Sequence, residues 1–580
     1  MLFKFLKRRL KRNRTAAELN ELALAHHARG ELDTAERYFR EAALQTPSEV
    51  SVWVNLAATL VGQEKYASAI PVLLEIVELR PDLAEGHLDL GVCYNRLKNN
   101  AEAIRHYRRA IELKPTLASA HANLVNACLD CCDWDAVERW TTEFLEYRDA
   151  HAPEDWAQRL DPFCALSLLP GAISREVAIQ RAATIERAIG GDSAGRPAGR
   201  PATRDGGRIR VGYASADFYS HATAHLTFAL YETHDRGAFE VYAYSMGPDD
   251  GSVYRKHIER TCDSFVDVRR EAPAATARRI RSDGIDILVD MKGYTANARP
   301  EIFAYRPAPV QVSYLGYPAT TGARFMDYFI TDRVATPPGH EGEFTESLVY
   351  MPDCYQVNDH RQPISPEPLS RSGFGLPAEA FVYCCFNALR KIDRAIFSVW
   401  MELMRQVPHS VLWLIEEDPL AAANLRREAE HRGVGPERLV FAGKVDKAAH
   451  LARHRLADLF LDTYVYNAHT TASDALWAGL PLLTCPGATF AQRVAASLLA
   501  AAGLPELIAR DLDEYRDLAI RLAGDRELLA GMRRTLARNR DTCALFDTPR
   551  YVRNLEAAYR TMLEIHRGGG APRSFPVPTR

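Results

Sequence analysis

No run approaching about eighteen consecutive apolar residues occurs in this chain, so no membrane-spanning helix is expected. A basic excess is also missing. Lys and Arg number 72 against 75 Asp and Glu, a formal charge of −3, which argues against a dedicated nucleic-acid binder. The opening MLFKFLKRRLKRNR carries Lys4, Lys7, Arg8, Arg9, Lys11, Arg12 and Arg14 and no acid. Its apolar part is too short for a secretory leader and no small-residue cleavage site follows. It reads as a solvated tail, with a helix lying on a membrane surface as the alternative. The cysteines, eleven and scattered, form no paired framework and read as reduced thiols of a cytoplasmic protein. The cluster Cys128, Cys131 and Cys132 (CLDCC) has no second ligand pair nearby, so it reads as packed helix residues rather than a zinc site.

What is present is a long globular chain. At 580 residues, 47% hydrophobic and 25% charged, it exceeds one hydrophobic core, and two to four domains are expected. The front carries a repeat of 34 residues, marked by Pro47, Pro81 and Pro115, by Leu22, Leu56 and Leu90, and by Ala35, Ala69 and Ala103. Each window reads as two amphipathic helices. The alanines allow close approach, and the proline ends the second helix because it cannot continue one. The pattern resembles the tetratricopeptide repeat. A fourth unit near Leu124 to Trp140 is one residue out of step and lacks its proline, as a degenerate cap would. Such a stack offers a concave surface to extended peptides, or serves as a structural or oligomer-forming stack.

Behind a Gly-, Pro- and Arg-rich linker (Gly190 to Arg208) the texture changes to short apolar runs alternating with helical stretches. RIRVGYA, FEVYAYSM, IDILVDM, PVQVSYLGY and MDYFITD form one set; FVYCCFN, SVLWLIEE, RLVFAGK, LADLFLDT and PLLTCP form a second. Continuous apolar runs suit parallel strands buried on both faces. The first half shows no dinucleotide glycine fingerprint, which suggests a cleft between two domains, and ligands of such sheets sit beyond the carboxyl ends of the strands. The division is therefore a tail (1–16), repeats (17–150), a helical connector and linker (151–207), a first α/β half (208–372), a second (373–566) and a tail (567–580).

The post-strand loops hold the candidate chemistry. YNAHTTASD, after LFLDT, can aim free backbone amides at an anion. Thr471-x-x-Asp474 also fits a capping box, which would need no ligand. A metal fits less well, since His469 has no histidine four residues on. FNALRKID places Lys391 after a strand, where a cation could neutralise a diphosphate. KVDKAAH adds Lys447 and His450, with Arg453 one helical turn further on the same face; each could equally be a solvated surface cation. DFYSHATAH offers Asp217, His221 and His225, histidine being suited to general-base work near neutral pH, although one of the two can simply pack. In LGYPATTG, Gly316 has no side chain in the way of a ligand meeting the backbone.

RVGYASADFYSHATAHL, DGIDILVDMKGYT, RPAPVQVSYLGYPATTG, FNALRKID and NAHTTASDALWAGLPLLTCPG together resemble the O-linked N-acetylglucosamine transferase family, glycosyltransferase family 41. The resemblance runs from about Thr15 to His566, and YMPDCYQVNDH (Tyr350 to His360) is similar to its bacterial branch. It implies an α-solenoid ahead of a GT-B fold of two Rossmann-like domains, and an inverting, metal-independent transfer of sugar from a nucleotide-sugar to a protein hydroxyl. It needs no cofactor beyond the donor, a UDP-sugar, UDP-N-acetylglucosamine being the expected one. By the same resemblance Lys391 binds the diphosphate, with His469, Thr470 and Thr471 lining that region. Lys447, His450 and Arg453 sit at the uridine, Asp474 at the ribose, and Leu315, Gly316 and Pro318 border the sugar. His221 matches a histidine once proposed as the base. Two departures from the pattern are Ala388, where a Gln or Asn is frequent, and Ala319, where a glycine is common. Expected partners are the donor and a protein acceptor held by the repeats, with no nucleic acid. The alternatives are a SPINDLY-type transferase using another nucleotide-sugar such as GDP-fucose, and a scaffold that has lost turnover.

Overall fold

A computed structural model of the chain describes residues 14–190 and 207–579. The basic run from Lys4 to Arg12 and most of the Gly190 to Arg208 linker lie outside the described residues. The described chain falls into two compact units, divided between Cys128 and Leu129.

The first unit is built of antiparallel helix pairs: Ala16–Ala28 with Leu32–Gln45, Val50–Gly62 with Tyr66–Leu79, and Ala84–Arg96 with Asn100–Leu113. Thr15 opens the stack with a reciprocal capping box to Glu18. The repeat alanines Ala35, Ala69 and Ala103 are fully buried where the helices cross. Gly91 serves the same purpose further, because a Cβ there would lie 2.4 Å from the Tyr107 ring. Each repeat proline stands two residues beyond the end of its second helix, at Gln45, Leu79 and Leu113.

The second unit contains two all-parallel sheets. The first is ordered β13-β7-β6-β5-β4-β1-β2-β3. Its strands are β1 (Ile209–Ser215), β2 (Phe239–Ser245), β3 (Ser264–Asp267), β4 (Ile287–Asp290), β5 (Val310–Ser313), β6 (Tyr328–Asp332), β7 (Ser347–Met351) and β13 (Phe575–Pro576). The other is ordered β10-β9-β8-β11-β12. It comprises β8 (Phe381–Cys385), β9 (Ser410–Ile415), β10 (Leu439–Ala442), β11 (Leu459–Leu461) and β12 (Leu482–Leu483). The runs read as strands are strands, and, the edge strand β10 apart, their central residues are mostly buried on both faces as helix-covered parallel sheets require. Three strands escape the pattern. β3 is a half-exposed edge, β7 is a short run beyond a loop, and β13 is a proline-containing dipeptide inside the segment read as a tail.

Sequence order places residues 548–566 with the second half, yet the helix Thr548–Arg567 packs on the first sheet. Tyr551 donates to the Tyr355 carbonyl at 2.6 Å and accepts from the Tyr314 hydroxyl at 2.8 Å. Glu556 accepts from the buried His234 at 3.0 Å and from the Asp235 amide at 2.8 Å. An apolar helix face specifies that it is covered, not by which sheet. The CLDCC cysteines serve packing: Cys131 and Cys132 are buried, and the Cys132 thiol donates to the Leu389 carbonyl at 3.4 Å.

Candidate functional site

β8 ends at Cys385 and the chain turns through Leu389–Lys391. The Lys391 ammonium donates to the Asn467 carbonyl at 2.8 Å and lies 3.9 Å from the centre of the Tyr466 ring. Burial pulls its pKa down to about 7, against the opposing pull of the Asp462 carboxylate. Asp462, the first residue past β11, accepts from the Thr463 amide at 2.8 Å, the Ala468 amide at 2.6 Å and the Thr484 hydroxyl at 2.7 Å. Burial in turn raises its pKa to about 7. Asp462 therefore fixes the loop 463–468, which presents both groups that touch Lys391.

The helix Thr470–Trp477 follows at once. Here the capping-box reading of Thr471 and Asp474 is corrected. The cap position is His469, whose side chain makes no capping bond, and both residues lie inside the helix. The Thr471 hydroxyl donates to Asn387 Oδ1, and Asp474 accepts from the Lys447 ammonium. The pattern misleads because neighbours from β8 and from the Lys447 helix compete for those side chains. The Ala472 and Ser473 amides donate to the His469 carbonyl at 3.1 Å, and those of Thr470 and Thr471, ahead of them, remain able to meet an anion. The His469 ring stacks on Tyr466 with centroids 4.9 Å apart, and its buried Nε2 has no hydrogen-bond partner. Burial and the nearby Lys391 cation push its pKa far below the ordinary value, so the ring is neutral.

From the first half, β1 leads into Asp217 and the helix Ala222–Thr227, whose cap is His221. The Thr223 amide donates to His221 Nδ1 at 3.2 Å. That bond assigns the proton of the neutral ring to Nε2, and burial keeps the ring's pKa below its usual value. Asp217 is occupied: both its oxygens accept from Lys292 Nζ at 2.7 Å in a buried ion pair.

Leu315 takes a left-handed backbone, φ 71°, beyond β5. Gly316 has its reason in the neighbouring strand end rather than in a ligand, because a Cβ would stand 1.9 Å from the Met291 carbonyl oxygen. Pro318 and Ala319 line a separate pocket of about 40 Å³ with Arg175 and Glu343. The loop has turned away there, tied by the Tyr317 hydroxyl to the Pro162 carbonyl at 3.2 Å.

The remaining cations form their own cluster. Lys447 pairs with Asp474, and His450 Nε2 stands 3.8 Å from the same carboxylate. Arg453 donates to His450 Nδ1 at 2.6 Å and to the Gly443 carbonyl at 2.8 Å, with its guanidinium 4.7 Å from the Phe386 ring centre. Arg453 is buried and supports His450 from behind. Burial and the surrounding cations push His450 far below its ordinary pKa.

The structure thus brings His221, Leu315, Gly316, Lys391, His469, Thr470 and Thr471 to one cavity of about 390 Å³, with Ala388 also in its wall. Lys447, His450, Arg453 and Pro318 are outside that lining, and Asp474 joins it only through its helix. Asp462, Asn387, Lys292, Tyr466 and Phe163 complete the wall or its support. Asp462 ends the LFLD run and Lys292 follows IDILVDM, so strand-end position was the signal available for both. An ammonium, the amides of Thr470 and Thr471 and the Thr470 hydroxyl, gathered at strand carboxyl ends, can hold a diphosphate and stabilise it as a leaving group.

Comparison with known proteins gives concordant matches. The model of glycosyl transferase family 41 matches residues 197–366 and 363–555. Tetratricopeptide-repeat models match 15–44 and 54–118. The chain is 40% identical over 389 residues to the probable UDP-N-acetylglucosamine--peptide N-acetylglucosaminyltransferase SEC of Arabidopsis thaliana, covering 66% of this chain and 40% of that protein. It is 32% identical over 478 residues to the Caenorhabditis elegans UDP-N-acetylglucosamine--peptide N-acetylglucosaminyltransferase, covering 63% and 42%. The chain thus spans about two fifths of the length of these relatives. A solved structure of a point mutant of the Thermobaculum terrenum O-GlcNAc transferase superposes with a TM-score of 0.71 at 28% identity, over 96% of this chain and all of that one.

Proposed function

Because this chain belongs to glycosyl transferase family 41, we propose that it transfers a sugar, N-acetylglucosamine, from a UDP-linked donor to serine or threonine hydroxyls of polypeptides. The observation that carries the reading is the convergence of the Lys391 ammonium and the start of the Thr470–Trp477 helix on one cavity. In this reading Lys391, the amides of Thr470 and Thr471 and the Thr470 hydroxyl hold the diphosphate, with His469 beside them and the Thr471 hydroxyl tied to Asn387. The acceptor oxygen attacks the anomeric carbon from the face opposite the diphosphate, the carbon–oxygen bond to the β-phosphate breaks, and configuration inverts. UDP leaves with the bonding pair, and the hydroxyl proton passes to water. The cation at the departing phosphate is Lys391, and no metal or other cofactor takes part. His221, its Nδ1 already occupied by an amide, offers Nε2–H to the reacting groups as a donor. Leu315 and Gly316 border the sugar, and Pro318 supports that loop from its far side. Lys447, His450 and Asp474 hold the nucleoside, with Arg453 behind them. The helical repeats present the acceptor. A cytoplasmic setting agrees with eleven free cysteines, nine of them buried.

The test is a panel of labelled nucleotide-sugars incubated with the pure protein and a host lysate. Transfer of label to proteins from UDP-N-acetylglucosamine is expected. Preferential labelling from GDP-fucose would move the chain to the other donor class, and no labelling from any donor would favour a scaffold.

A further inference from the structure

Tyr466 is a wall residue whose ring meets the Lys391 ammonium face-on. Its ring is fixed by three neighbours. His469 stacks on it at 4.9 Å and 24°, Phe163 meets it edge-on at 5.8 Å, and the Lys391 ammonium lies 3.9 Å from its centre. Phe163 comes from the helix Pro162–Leu168 of the connector and is itself covered by the Arg390 guanidinium, 5.3 Å from its ring centre. The backbone of Tyr466 is pinned as well, its carbonyl accepting from the Thr463 hydroxyl at 2.6 Å. Tyr466 is 5% exposed although it borders the cavity, so the ring shows little surface for a ligand to cover.

An ammonium buried in a cleft needs its hydration replaced, and three donors on one nitrogen need directions. The Asn467 carbonyl supplies one acceptor at 2.8 Å, and the face of an electron-rich ring supplies an attractive surface that takes up no hydrogen-bonding partner. That arrangement leaves a remaining N–H free to point into the cavity. We propose that Tyr466 is a positioning residue. Its ring holds the Lys391 ammonium in place for an anionic ligand without itself bonding that ligand. The proposal rests on the diphosphate assignment made above for Lys391, and deepens it.

The test is a double-mutant cycle read as UDP affinity by calorimetry on the full chain, with thermal melting to confirm folding. Y466L removes the ring at similar bulk and is expected to weaken UDP binding about tenfold, the scale of a desolvated cation–ring contact. Y466F keeps the ring and is expected to restore affinity to within about twofold of the parent. In the K391A background, Y466L is expected to cost nothing further. An equal cost of Y466L in both backgrounds would show that Tyr466 touches the ligand directly, and a loss in Y466F matching that of Y466L would give the role to its hydroxyl; either result overturns the proposal. If K391A alone leaves UDP affinity unchanged, the diphosphate assignment fails instead, and the two failures are told apart.

Discussion

The hydrogen bond from the Lys391 ammonium to the Asn467 carbonyl, 2.8 Å long, ties a residue beyond β8 to the loop beyond β11. Two adjacent strand ends of one sheet thereby share a single cation, held beside the helix whose first two amides, of Thr470 and Thr471, are open. Everything proposed for catalysis depends on that cation being charged when the donor is bound.

Its protonation gives a pH dependence with a definite sign. Burial lowers Lys391 to about 7 in the free protein, and a bound diphosphate favours the charged form, so the complex binds more protons than the free protein. UDP affinity should therefore fall as pH rises from about 7.5 to about 8.5, above the titration of the phosphate and below that of the uracil ring, by up to about tenfold per unit. Calorimetry in two buffers of different ionisation enthalpy should show proton uptake on binding, absent in K391A.

The Lys447–Asp474 pair makes a stability prediction. Both side chains are largely buried, and K447M leaves the carboxylate without its partner. A loss of about 3 kcal/mol in denaturant unfolding is expected. The double variant K447M/D474N, which removes both charges, should regain most of it while UDP binding stays impaired.

His221 makes a third. The geometry assigns it a cap and donor role, Nδ1 accepting from the Thr223 amide. H221N preserves a cap acceptor and a donor but cannot act as a base near neutral pH, and it should retain transfer within about tenfold of the parent. A loss of about a hundredfold or more in a folded H221N would restore the general-base role.

Much of this was legible in the sequence, for identifiable reasons. The repeat alanines and prolines sit where a 34-residue period requires them. The parallel strands declare themselves as runs buried on both faces, and the loops after them carry Lys391, His221 and His469 into one cavity. What the sequence conceals is which neighbour claims a side chain. Thr471 and Asp474 fit a local capping pattern, but Asn387 and Lys447, distant in the chain, take them instead. Gly316 has space around it by pattern, whereas in the fold the Met291 carbonyl fills that space. Pro318 is adjacent to a cavity residue in sequence and faces another pocket. Asp462 and Tyr466 act through backbone amides, a carbonyl and a ring face, which no residue-type motif encodes.

The most direct measurement is transfer of N-acetylglucosamine from UDP-N-acetylglucosamine to protein acceptors by the parent chain and by K391A, both confirmed folded. Transfer by the parent is expected, with a loss of at least about a hundredfold in K391A, the scale of electrostatic stabilisation at a leaving group. Equal transfer by the two proteins would contradict the role given to Lys391.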